Sequence, residues 1–574
     1  MRWLYGRRVG RWCSLCFSRK ISYGGPAQGR PQLFTTPIFY VNAAPHLGHV
    51  YSAVLADTLH RYTALRGGES RLNTGTDEHG IKVQQAAAAL GSTPTELCSR
   101  VSQQFRTMFD AMGISYTDFV RTTEPRHSRA VCHFWKRLEE QGYIYKGTYQ
   151  GWYCTSDEAF LSEEQTTESK DPDGNKIRVS VESGHQVHWM SEENYMFRLS
   201  SLRPELLKWL QTDPIHPAPF LRIVRKWLEE ELPDLSVSRH SSRVSWGIPV
   251  PSDPTHTIYV WLDALINYLT VANYPDPAGS PWGPSTHLLG KDILRFHAVY
   301  WPAFLLAAGL PPPAKLFVHS HWTCQGVKMS KSLLNVIDPA ECIKLYGRDG
   351  FRYFLLRNGS PERDCDFNHD AVRMLLKSDL ADALGGLLNR STALNINPEQ
   401  CWPCFRTTNV PLTSRGQLED LLGALQGLPQ QVDQYMDTFQ VHKALEAIDG
   451  GVRSSNTFLQ RQAPWKLSKG SEEDKAWGQC VLYLTLEALR LYGTLLQPAV
   501  PGLAQTILSR LGVGNDDRTL KGNRFFAATR GEECRFRGQK LGLDCGLLYH
   551  RLRGQEDPEL KKDITQHESG STFN

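Results

Sequence analysis

The pattern of apolar and polar positions divides the chain into two parts. Short apolar, β-rich runs alternate with segments of helical spacing from about residue 33 to 145 and again from about 256. The run LFTTPIFYV at 33–41 indicates a buried strand, and apolar positions three and four apart then predict a helix: Tyr51, Val54, Leu55, Thr58, Leu59 and Tyr62. From about 376 the sequence is Leu-rich and helical. These patterns predict an α/β fold, a Rossmann-type doubly wound parallel sheet with an inserted connective domain, followed by an all-α bundle.

The same changes of pattern give the expected domain boundaries. The two halves of the sheet domain are expected at 31–145 and 251–325, with the connective insertion at 146–250 between them. A loop and linker at 326–375, the helical domain at 376–514 and a tail at 515–574 follow. No stretch approaches the roughly twenty uncharged apolar residues that cross a bilayer, so no membrane association is expected.

The first 30 residues differ from the rest in charge. They contain seven basic residues and no acidic one, and the first acidic residue of the chain is Asp57. An Arg-rich leader without acidic residues is typical of a mitochondrial presequence, so the protein is expected in the mitochondrial matrix. The alternative is that these residues are a disordered basic tail. The whole chain has 64 Lys and Arg against 60 Asp and Glu, so without those seven basic residues the net charge changes from +4 to −3. Any nucleic-acid binding must therefore come from a local basic patch.

Composition and cysteine spacing narrow the classes of protein. A length of 574 residues with 41% hydrophobic and 22% charged residues is ordinary for a globular protein of several domains.

The 13 cysteines lack the spacing of a small disulfide scaffold, which fits a reducing compartment. CWPC (Cys401, Cys404) and CSLC (Cys13, Cys16) each have the spacing of half a zinc site, but neither has a second half. In the insertion, four residues could in principle form a mixed tetrahedral site, but nothing in the sequence fixes their positions relative to one another: Cys154, Asp157, His185 and His188. We therefore expect no metal site and no structural zinc.

Two segments have the chemistry of phosphate binding. His46 and His49 flank Gly48 at a junction between strand and helix, where unpaired backbone N–H groups and the helix dipole favour an anion. Far downstream, a β-rich run at 316–322 precedes a polar loop with Lys328, Ser330 and Lys331. Lysine is a mobile point charge that suits a departing pyrophosphate. Each segment alone is also compatible with solvated surface residues.

Together the two segments resemble a known family. HLGH after the first strand and KMSKS after a late one are the paired signatures of class I aminoacyl-tRNA synthetases. From about residue 33 to 510 the chain resembles methionyl-tRNA synthetases, most closely the mitochondrial, bacterial-like members, through runs such as TTPIFYVNAAPHLGH, NTGTDEHGIKVQQAA, YVWLDALINYL, HLLGKDILRFHAVYWPAFL and APWKLSK. The resemblance implies a ligase that activates methionine with ATP and transfers it to the 3′ adenosine of tRNA(Met) for mitochondrial translation. The alternatives are another class I synthetase, such as the cysteinyl type, and a catalytically silent tRNA-binding relative.

The resemblance also implies roles for individual residues. The catalytic group is His46, His49, Lys328 and Lys331, and ATP is bound by these residues with Gly48, Gly290, Asp292 and Ser330. The methionine pocket comprises Ile38, Tyr40, Asp77, Trp261, Ala264, Tyr268, Ile293 and His297. The tRNA anticodon is read by Arg390, Asn456 and Trp465. Mg²⁺ is expected with ATP, and the enzyme is expected to be a monomer. Two positions depart from the family pattern: Gly386, where relatives usually have asparagine, and Leu334, where they usually have glycine.

Overall fold

The computed structural model describes residues 31–154, 159–161, 163–171, 174–181, 184–276, 282–283, 285–329, 335–521, 524–532 and 534–550. Several predictions concern residues outside these ranges: the leader at 1–30, Asp157, Ser330, Lys331 and Leu334. Lys328 is described only in its backbone.

The strands and helices follow one another in the order expected of an α/β fold with a helical C-terminal part. The strands are β1 Gln32–Thr35, β2 Phe39–Tyr40, β3 Ser70–Asp77, β4 Asp118–Arg121, β5 Ile144–Cys154, β6 Ala159–Leu161, β7 Thr166–Lys170, β8 Lys176–Ser180, β9 Val187–Phe197, β10 Ile215–His216, β11 Leu235–Ser236, β12 Ser238–His240, β13 Pro249–Val250, β14 Asp253–Ile258, β15 Ser285–Gly290, β16 Lys315–His319, β17 Trp322–Cys324, β18 Val327–Lys328 and β19 Cys365–Phe367. The helices are α1 Leu47–Leu65, α2 Ile81–Ala89, α3 Pro94–Ala111, α4 Pro125–Glu140, α5 Arg203–Leu210, α6 Ala218–Glu229, α7 Val260–Leu265, α8 Asn267–Thr270, α9 Trp301–Ala307, α10 Pro339–Asn358, α11 His369–Leu375, α12 Gly386–Thr392, α13 Arg415–Gln426, α14 Leu428–Asp437, α15 Val441–Gln462, α16 Pro464–Leu467, α17 Glu472–Leu496 and α18 Pro501–Arg510.

The central sheet of the described residues is parallel throughout. Its order is β10, β16, β15, β1, β3 and β4, and β2 continues along the same side of β3 as β1. The single strand predicted at 33–41 is in fact two short strands. Pro37 lies between them and has no N–H group to donate to a neighbouring strand, so the pairing is interrupted there. The predicted doubly wound parallel sheet is confirmed.

Part of the range predicted as the insertion belongs to this sheet. The edge strand β10 pairs in parallel with β16, with Ile215 opposite Leu316. The expectation that the sheet resumes only at residue 251 misses this strand, because two residues are too few to give a period-2 pattern. The rest of the insertion includes a long antiparallel pair, β5 with β9.

The β5 and β9 register bears on the mixed metal site considered from sequence. Cys154 lies opposite Val187, and His188 lies opposite the preceding residue, Tyr153. Because successive side chains in a strand point to opposite faces, Cys154 and His188 project from opposite faces of the sheet. They therefore cannot ligate one ion together. Within the described ranges, no group of three or more His, Cys, Asp or Glu residues is arranged to hold a metal.

The C-terminal half is a helical bundle from α11 to α18. A stretch of π-helix, Leu376–Gly385, joins α11 to α12. Helix α17 is buried without a break from Cys480 to Leu496. The tail after α18 packs on both halves of the molecule: the Leu520 amide donates to the Leu65 carbonyl, and the Gly538 amide donates to the Trp402 carbonyl. Among the helices that the structure describes, none is long and apolar enough to cross a membrane.

Candidate functional site

The predicted site residues converge on the carboxyl edge of the parallel sheet. Tyr40 ends β2 and lies opposite Asp77, which ends β3. Gly290 ends β15 and lies opposite His319, which ends β16. The carboxyl ends of parallel strands and the loops that follow them form the usual ligand crevice of an open α/β sheet. The fold therefore brings together residues that are far apart in sequence.

His46 and His49 form the N-terminal cap of α1. The backbone amide of His46 donates to Nδ1 of His49 over 3.2 Å, and the amide of Gly48 donates to Nδ1 of His46 over 3.1 Å. A ring nitrogen that accepts an N–H cannot carry a proton, so each neutral imidazole has its proton on Nε2. Both rings therefore hold an Nε2–H that is not used by the cap.

The two imidazoles are also held parallel. Their ring centroids are 3.7 Å apart with an angle of 25° between the planes. A Cβ added to Gly48 would lie 3.0 Å from Cε1 of His46, so glycine leaves room for this ring to fold over the helix start. Burial and the neighbouring His46 lower the pKa of His49 well below its usual value, which keeps His49 a neutral donor.

The GKD segment, residues 290–292, begins at the last residue of β15. A Cβ at Gly290 would lie 2.5 Å from Oδ1 of Asp292, so only glycine lets this carboxylate fold back over the strand end. Asp292 is exposed, and its Oδ1 lies 3.1 Å from Nε2 of His321. The Asp292 carboxylate also acts on His49, where it partly offsets the lowering of the pKa. The nucleotide residues predicted on both segments are therefore neighbours.

A second group of predicted residues forms a buried polar contact. Nδ1 of His297 lies 3.0 Å from the carbonyl oxygen of Ile293, and the Tyr268 hydroxyl lies 2.8 Å from Nε2 of the same ring. The His297 Nδ1–H therefore donates to the carbonyl, and the Tyr268 hydroxyl donates to Nε2. Burial lowers the pKa of His297 to about 4, so the ring is neutral at physiological pH.

Aromatic and aliphatic side chains surround this contact. Trp261 stacks on Phe296 with centroids 3.6 Å apart, and its ring lies edge-on to His297 at 6.3 Å. Ala264 is buried on the same helix as Trp261, whereas Ile38 and Ile293 are half-buried. Asp77 is only 4% exposed and lies opposite Tyr40 at the end of β3, so a buried carboxylate stands at this edge of the sheet.

Sequence reasoning missed histidines that support this wall. Tyr268 stacks on His287 at 4.2 Å, and His287 in turn lies 2.6 Å from the Thr35 hydroxyl. His319, at the end of β16, lies 2.7 Å from the Ser52 hydroxyl on α1. Both histidines are on strands that end at the ligand edge. The sequence HSH at the end of a late strand was the signal that could have identified His319 and His321.

A buried carboxylate on α7 links two histidines from other elements. Oδ2 of Asp263 lies 2.7 Å from Nδ1 of His79, and Oδ1 lies 2.7 Å from Nε2 of His127. Burial alone would raise the pKa of Asp263, but the two histidines hold it at about 2. His79 is two residues after Asp77, and Asp263 is adjacent to Ala264, so this triad holds the Asp77 loop against α7.

The lysine loop follows directly from the same edge. After β16 the chain forms β17 and β18, which pair antiparallel with Thr323 opposite Lys328. The backbone of Lys328 therefore lies in a short hairpin that begins directly after His321. The Lys328 side chain, Ser330 and Lys331 lie outside the described residues.

The predicted anticodon residues lie on the helical bundle, on elements separate from those of the sheet edge. Arg390 on α12 donates from Nη2 to Oδ1 of Asn456 on α15, and Nδ2 of Asn456 donates to the Ala383 carbonyl over 3.0 Å. Both residues line an open groove with further basic side chains: Lys377, Arg453 and Arg461. Trp465 is half-buried on α16, packed against the bundle core. The structure brings Arg390 and Asn456 together and places Trp465 just beyond α15.

This combination defines a class. Class I aminoacyl-tRNA synthetases share this arrangement: a parallel sheet with a histidine-capped helix at its carboxyl edge and a KMSKS sequence after a late strand, followed by a helical domain with a basic groove. Residues 32–392 match the family described as tRNA synthetases class I (M), and residues 413–529 match the anticodon binding domain of methionyl tRNA ligase.

Individual relatives agree with this class. The chain is 72% identical over 527 residues to the mitochondrial methionine–tRNA ligase of Xenopus laevis, covering 92% of this chain and 94% of the relative. It is 55% identical over 550 residues to the mitochondrial methionine–tRNA ligase of Homo sapiens, covering 93% of each. Among solved structures, Mycobacterium tuberculosis methionyl-tRNA synthetase in complex with methionyl-adenylate superposes with a TM-score of 0.84 at 37% identity, covering 91% of this chain and 100% of that chain.

The chain therefore belongs to the methionyl-tRNA synthetases. It activates methionine with ATP and charges tRNA with the product. The prediction of a methionine-tRNA ligase is confirmed over the cysteinyl-type and silent alternatives, and the names of the relatives support a mitochondrial location.

Proposed function

We propose that the capped helix start of α1 binds the phosphates of ATP. The observation that carries this proposal is the pair of stacked imidazoles at His46 and His49, whose Nδ1 atoms accept from backbone amides so that both rings are held at the start of α1. A neutral N–H donor such as His49, next to the positive end of a helix, stabilises phosphate oxygens without a bound counter-charge. Gly48 and Gly290 allow the close approach of the flanking groups, which supports the proposal. Asp292 is proposed to accept from ribose hydroxyls.

Methionine is proposed to bind in the wall described above. The buried carboxylate of Asp77 suits the α-ammonium group, and a charge-assisted bond there separates an amino acid from a plain thioether. Trp261, Tyr268 and His297 surround the side chain, together with Ile38, Tyr40, Ala264 and Ile293. Contacts of a thioether sulfur with aromatic rings contribute roughly 0.3 to 1.5 kcal/mol each.

The reaction then needs no protein nucleophile. The methionine carboxylate attacks the α-phosphate of ATP, pyrophosphate leaves, and a ribose hydroxyl of the 3′ adenosine later attacks the methionyl-adenylate. The protein contributes orientation and donors for the charge that develops on phosphate oxygens. Lys328, Ser330 and Lys331 are proposed to follow the pyrophosphate. Mg²⁺ suits this site when bound mainly through ATP phosphates, because the described residues offer no cluster of ligands that would hold it alone.

Substitution of the lysine loop tests this assignment. Lys331→Ala should lower the rate of methionine-dependent pyrophosphate exchange by about 10²-fold or more, since it removes charge that acts only in the transition state. The Kd of methionine, measured by calorimetry, should change less than about twofold. An equal loss of methionine affinity would show that Lys331 belongs to the amino-acid pocket instead.

The groove at Arg390 and Asn456 is proposed to bind the anticodon of tRNA(Met), with Trp465 stacking on an unpaired base. Stacking a base on an aromatic ring is worth roughly 1 to 3 kcal/mol, so Trp465→Ala should reduce tRNA charging about five- to two-hundred-fold. Pyrophosphate exchange without tRNA should stay intact because the two sites lie on different domains. A lowered melting temperature with parallel loss of both activities would instead identify Trp465 as a core residue.

Two finer assignments complete the proposal. We place the enzyme in the mitochondrial matrix, which the basic leader at 1–30 supports. We also propose that it acts as a monomer without structural zinc; the opposite orientations of Cys154 and His188 support the second point. Light scattering of the purified chain and metal analysis after dialysis test both statements.

A further inference from the structure

The CWPC segment, considered above as half a zinc site, has a different partner in the fold. Sγ of Cys404 lies 3.6 Å from Sγ of Cys534, which is 130 residues further along the chain. Both cysteines are free thiols and both are half-buried. The first cysteine of the motif, Cys401, contacts the Glu399 carboxylate at 3.5 Å. The spacing CxxC therefore does not pair its own cysteines.

The backbone holds the two thiols in place from both sides. The Trp402 amide donates to the Gln539 carbonyl over 2.9 Å, and the Gly538 amide donates to the Trp402 carbonyl over 2.9 Å. On the other side of Cys534, the Phe526 amide donates to the buried carboxylate of Glu487 on α17. The tail segment with Cys534 is therefore anchored before and after the cysteine.

The sulfur of Cys534 is also oriented by its neighbour. The Phe405 amide donates to Sγ of Cys534 over 3.3 Å, and the Phe405 carbonyl lies 3.4 Å from the same sulfur. A disulfide has an S–S length of about 2.0 Å, so bond formation requires an approach of roughly 1.6 Å by side-chain rotation. The anchored backbone keeps the two cysteines close enough for that rotation.

We propose that Cys404 and Cys534 are an oxidative modification site, which closes a reversible disulfide between the CWPC segment and the C-terminal tail. The oxidant is a small disulfide such as glutathione disulfide. One protein thiolate attacks it and releases one glutathione thiolate, and the second protein thiol then attacks the mixed disulfide and releases the other. The two cysteine thiols are oxidised and one glutathione disulfide is reduced to two glutathione thiols, so the protons and electrons balance.

The bond would fasten the tail to the bundle. It closes a loop of 130 residues, and long loops lose the most entropy in the unfolded chain when cross-linked. Burial raises the pKa of the Cys534 thiol, and only thiolates attack disulfides, so oxidation should accelerate with rising pH. This site lies on the helical half and is independent of the residues proposed for ATP and methionine.

The test uses the full chain incubated with glutathione disulfide and with reduced glutathione. Peptide mapping of the oxidised enzyme should recover the peptides of Cys404 and Cys534 as one cross-linked species, with the melting temperature raised by roughly 3 °C or more. Cys534→Ser should abolish both effects, and Cys401→Ser, in the same motif, should leave both unchanged.

Other outcomes overturn the proposal. A cross-link between Cys404 and Cys401, or equal alkylation of both thiols before and after oxidation, excludes this pair as the modification site. A Cys404–Cys534 bond that does not raise the melting temperature excludes the fastening role. Peptide mapping of the unsubstituted enzyme decides the pairing even if a serine variant fails to fold.

Discussion

The Tyr268 hydroxyl donates to Nε2 of His297 over 2.8 Å, and both side chains are almost wholly buried. The other ring nitrogen of His297 is satisfied by the Ile293 carbonyl. One hydroxyl therefore fixes the orientation of an imidazole in the wall of the proposed methionine pocket.

Tyr268→Phe should raise the KM for methionine about tenfold or more in pyrophosphate exchange. The substitution leaves a buried acceptor on His297 unpaired, which costs about 1–3 kcal/mol. Tyr300→Phe, on the same helical segment as His297, is the matched control and should leave KM unchanged. A normal KM in Tyr268→Phe would show that the hydroxyl has no part in methionine binding.

The enzyme should lose stability in mild acid because of buried neutral histidines. Burial lowers the pKa of both His297 and His319 to about 4, below the value of about 6.5 in an unfolded chain. The unfolded state therefore binds more protons between pH 6.5 and 4, so the free energy of unfolding is highest above about pH 6.5 and falls towards pH 4. Each histidine should contribute a loss on the order of 3 kcal/mol across this window.

Urea unfolding at pH 7.5 and pH 5 measures this dependence. His319→Asn should be less stable at pH 7.5 but should show a flatter decline towards pH 5. His188→Gln, on an exposed position of β9, is the control and should retain the slope of the parent. The same slope in His319→Asn as in the parent would assign the acid sensitivity to other groups.

The triad of His79, Asp263 and His127 should govern both stability and the methionine pocket. Asp263→Asn removes a buried charge that both histidines contact at 2.7 Å, and breaking such a contact costs about 3–5 kcal/mol. Because the triad holds the loop of Asp77 against α7, the KM for methionine should rise with little change in the KM for ATP.

Melting curves and separate KM values measure the two effects of Asp263→Asn. Glu472→Gln removes an exposed ion pair with Lys475 and should change the free energy of unfolding by less than about 1 kcal/mol. An equal rise in both KM values would indicate general loosening of the site rather than a displaced Asp77 loop.

The sequence predicted the sheet and its motifs better than the supporting contacts. The strand and helix around His46 and His49 are recognisable because apolar spacing and a strand end mark them locally. His287 and the triad could not be identified in that way, because their partners are 252, 184 and 136 residues apart and only the folded sheet brings them together. The strand break at Pro37 shows the opposite case, where one residue without an N–H group divided a run that looked continuous.

Departures from the family pattern can be judged only with the fold. Gly386 has ordinary helical backbone angles, and a Cβ added there would meet no atom within 4 Å. The asparagine that relatives usually have at this position would therefore fit without strain. The sequence alone indicated only the replacement of asparagine by glycine, and the structure shows that the space for a side chain remains.

Gly386→Asn should therefore be tolerated and should strengthen tRNA binding. The new amide would lie beside Arg390, whose Nε donates to the Gly386 carbonyl over 3.1 Å. We expect an unchanged or slightly raised melting temperature and a KM for tRNA(Met) lowered about two- to tenfold. Gly416→Asn, on α13 with equally open surroundings, is the control. A raised KM for tRNA would mean that the open space itself is used by the anticodon.

The junction between α15 and α16 gives a prediction about stability alone. Ala463 has φ 45° and ψ 60°, the left-handed conformation, and it directly precedes Pro464 and Trp465. This conformation costs about 1–2 kcal/mol for a residue with a Cβ and almost nothing for glycine. Glycine also gives the unfolded chain more conformational entropy, which offsets part of this gain. Ala463→Gly should therefore raise the free energy of unfolding by up to about 1 kcal/mol. Ala447→Gly, in the regular interior of α15, should lower it by about 1 kcal/mol, because there the helix favours alanine. Urea unfolding of the two variants side by side measures the difference in sign. If both substitutions destabilise the enzyme to the same extent, the backbone at Ala463 is not left-handed in solution. In that case contacts of the indole, and not the turn at Ala463, would set the position of Trp465 relative to the groove.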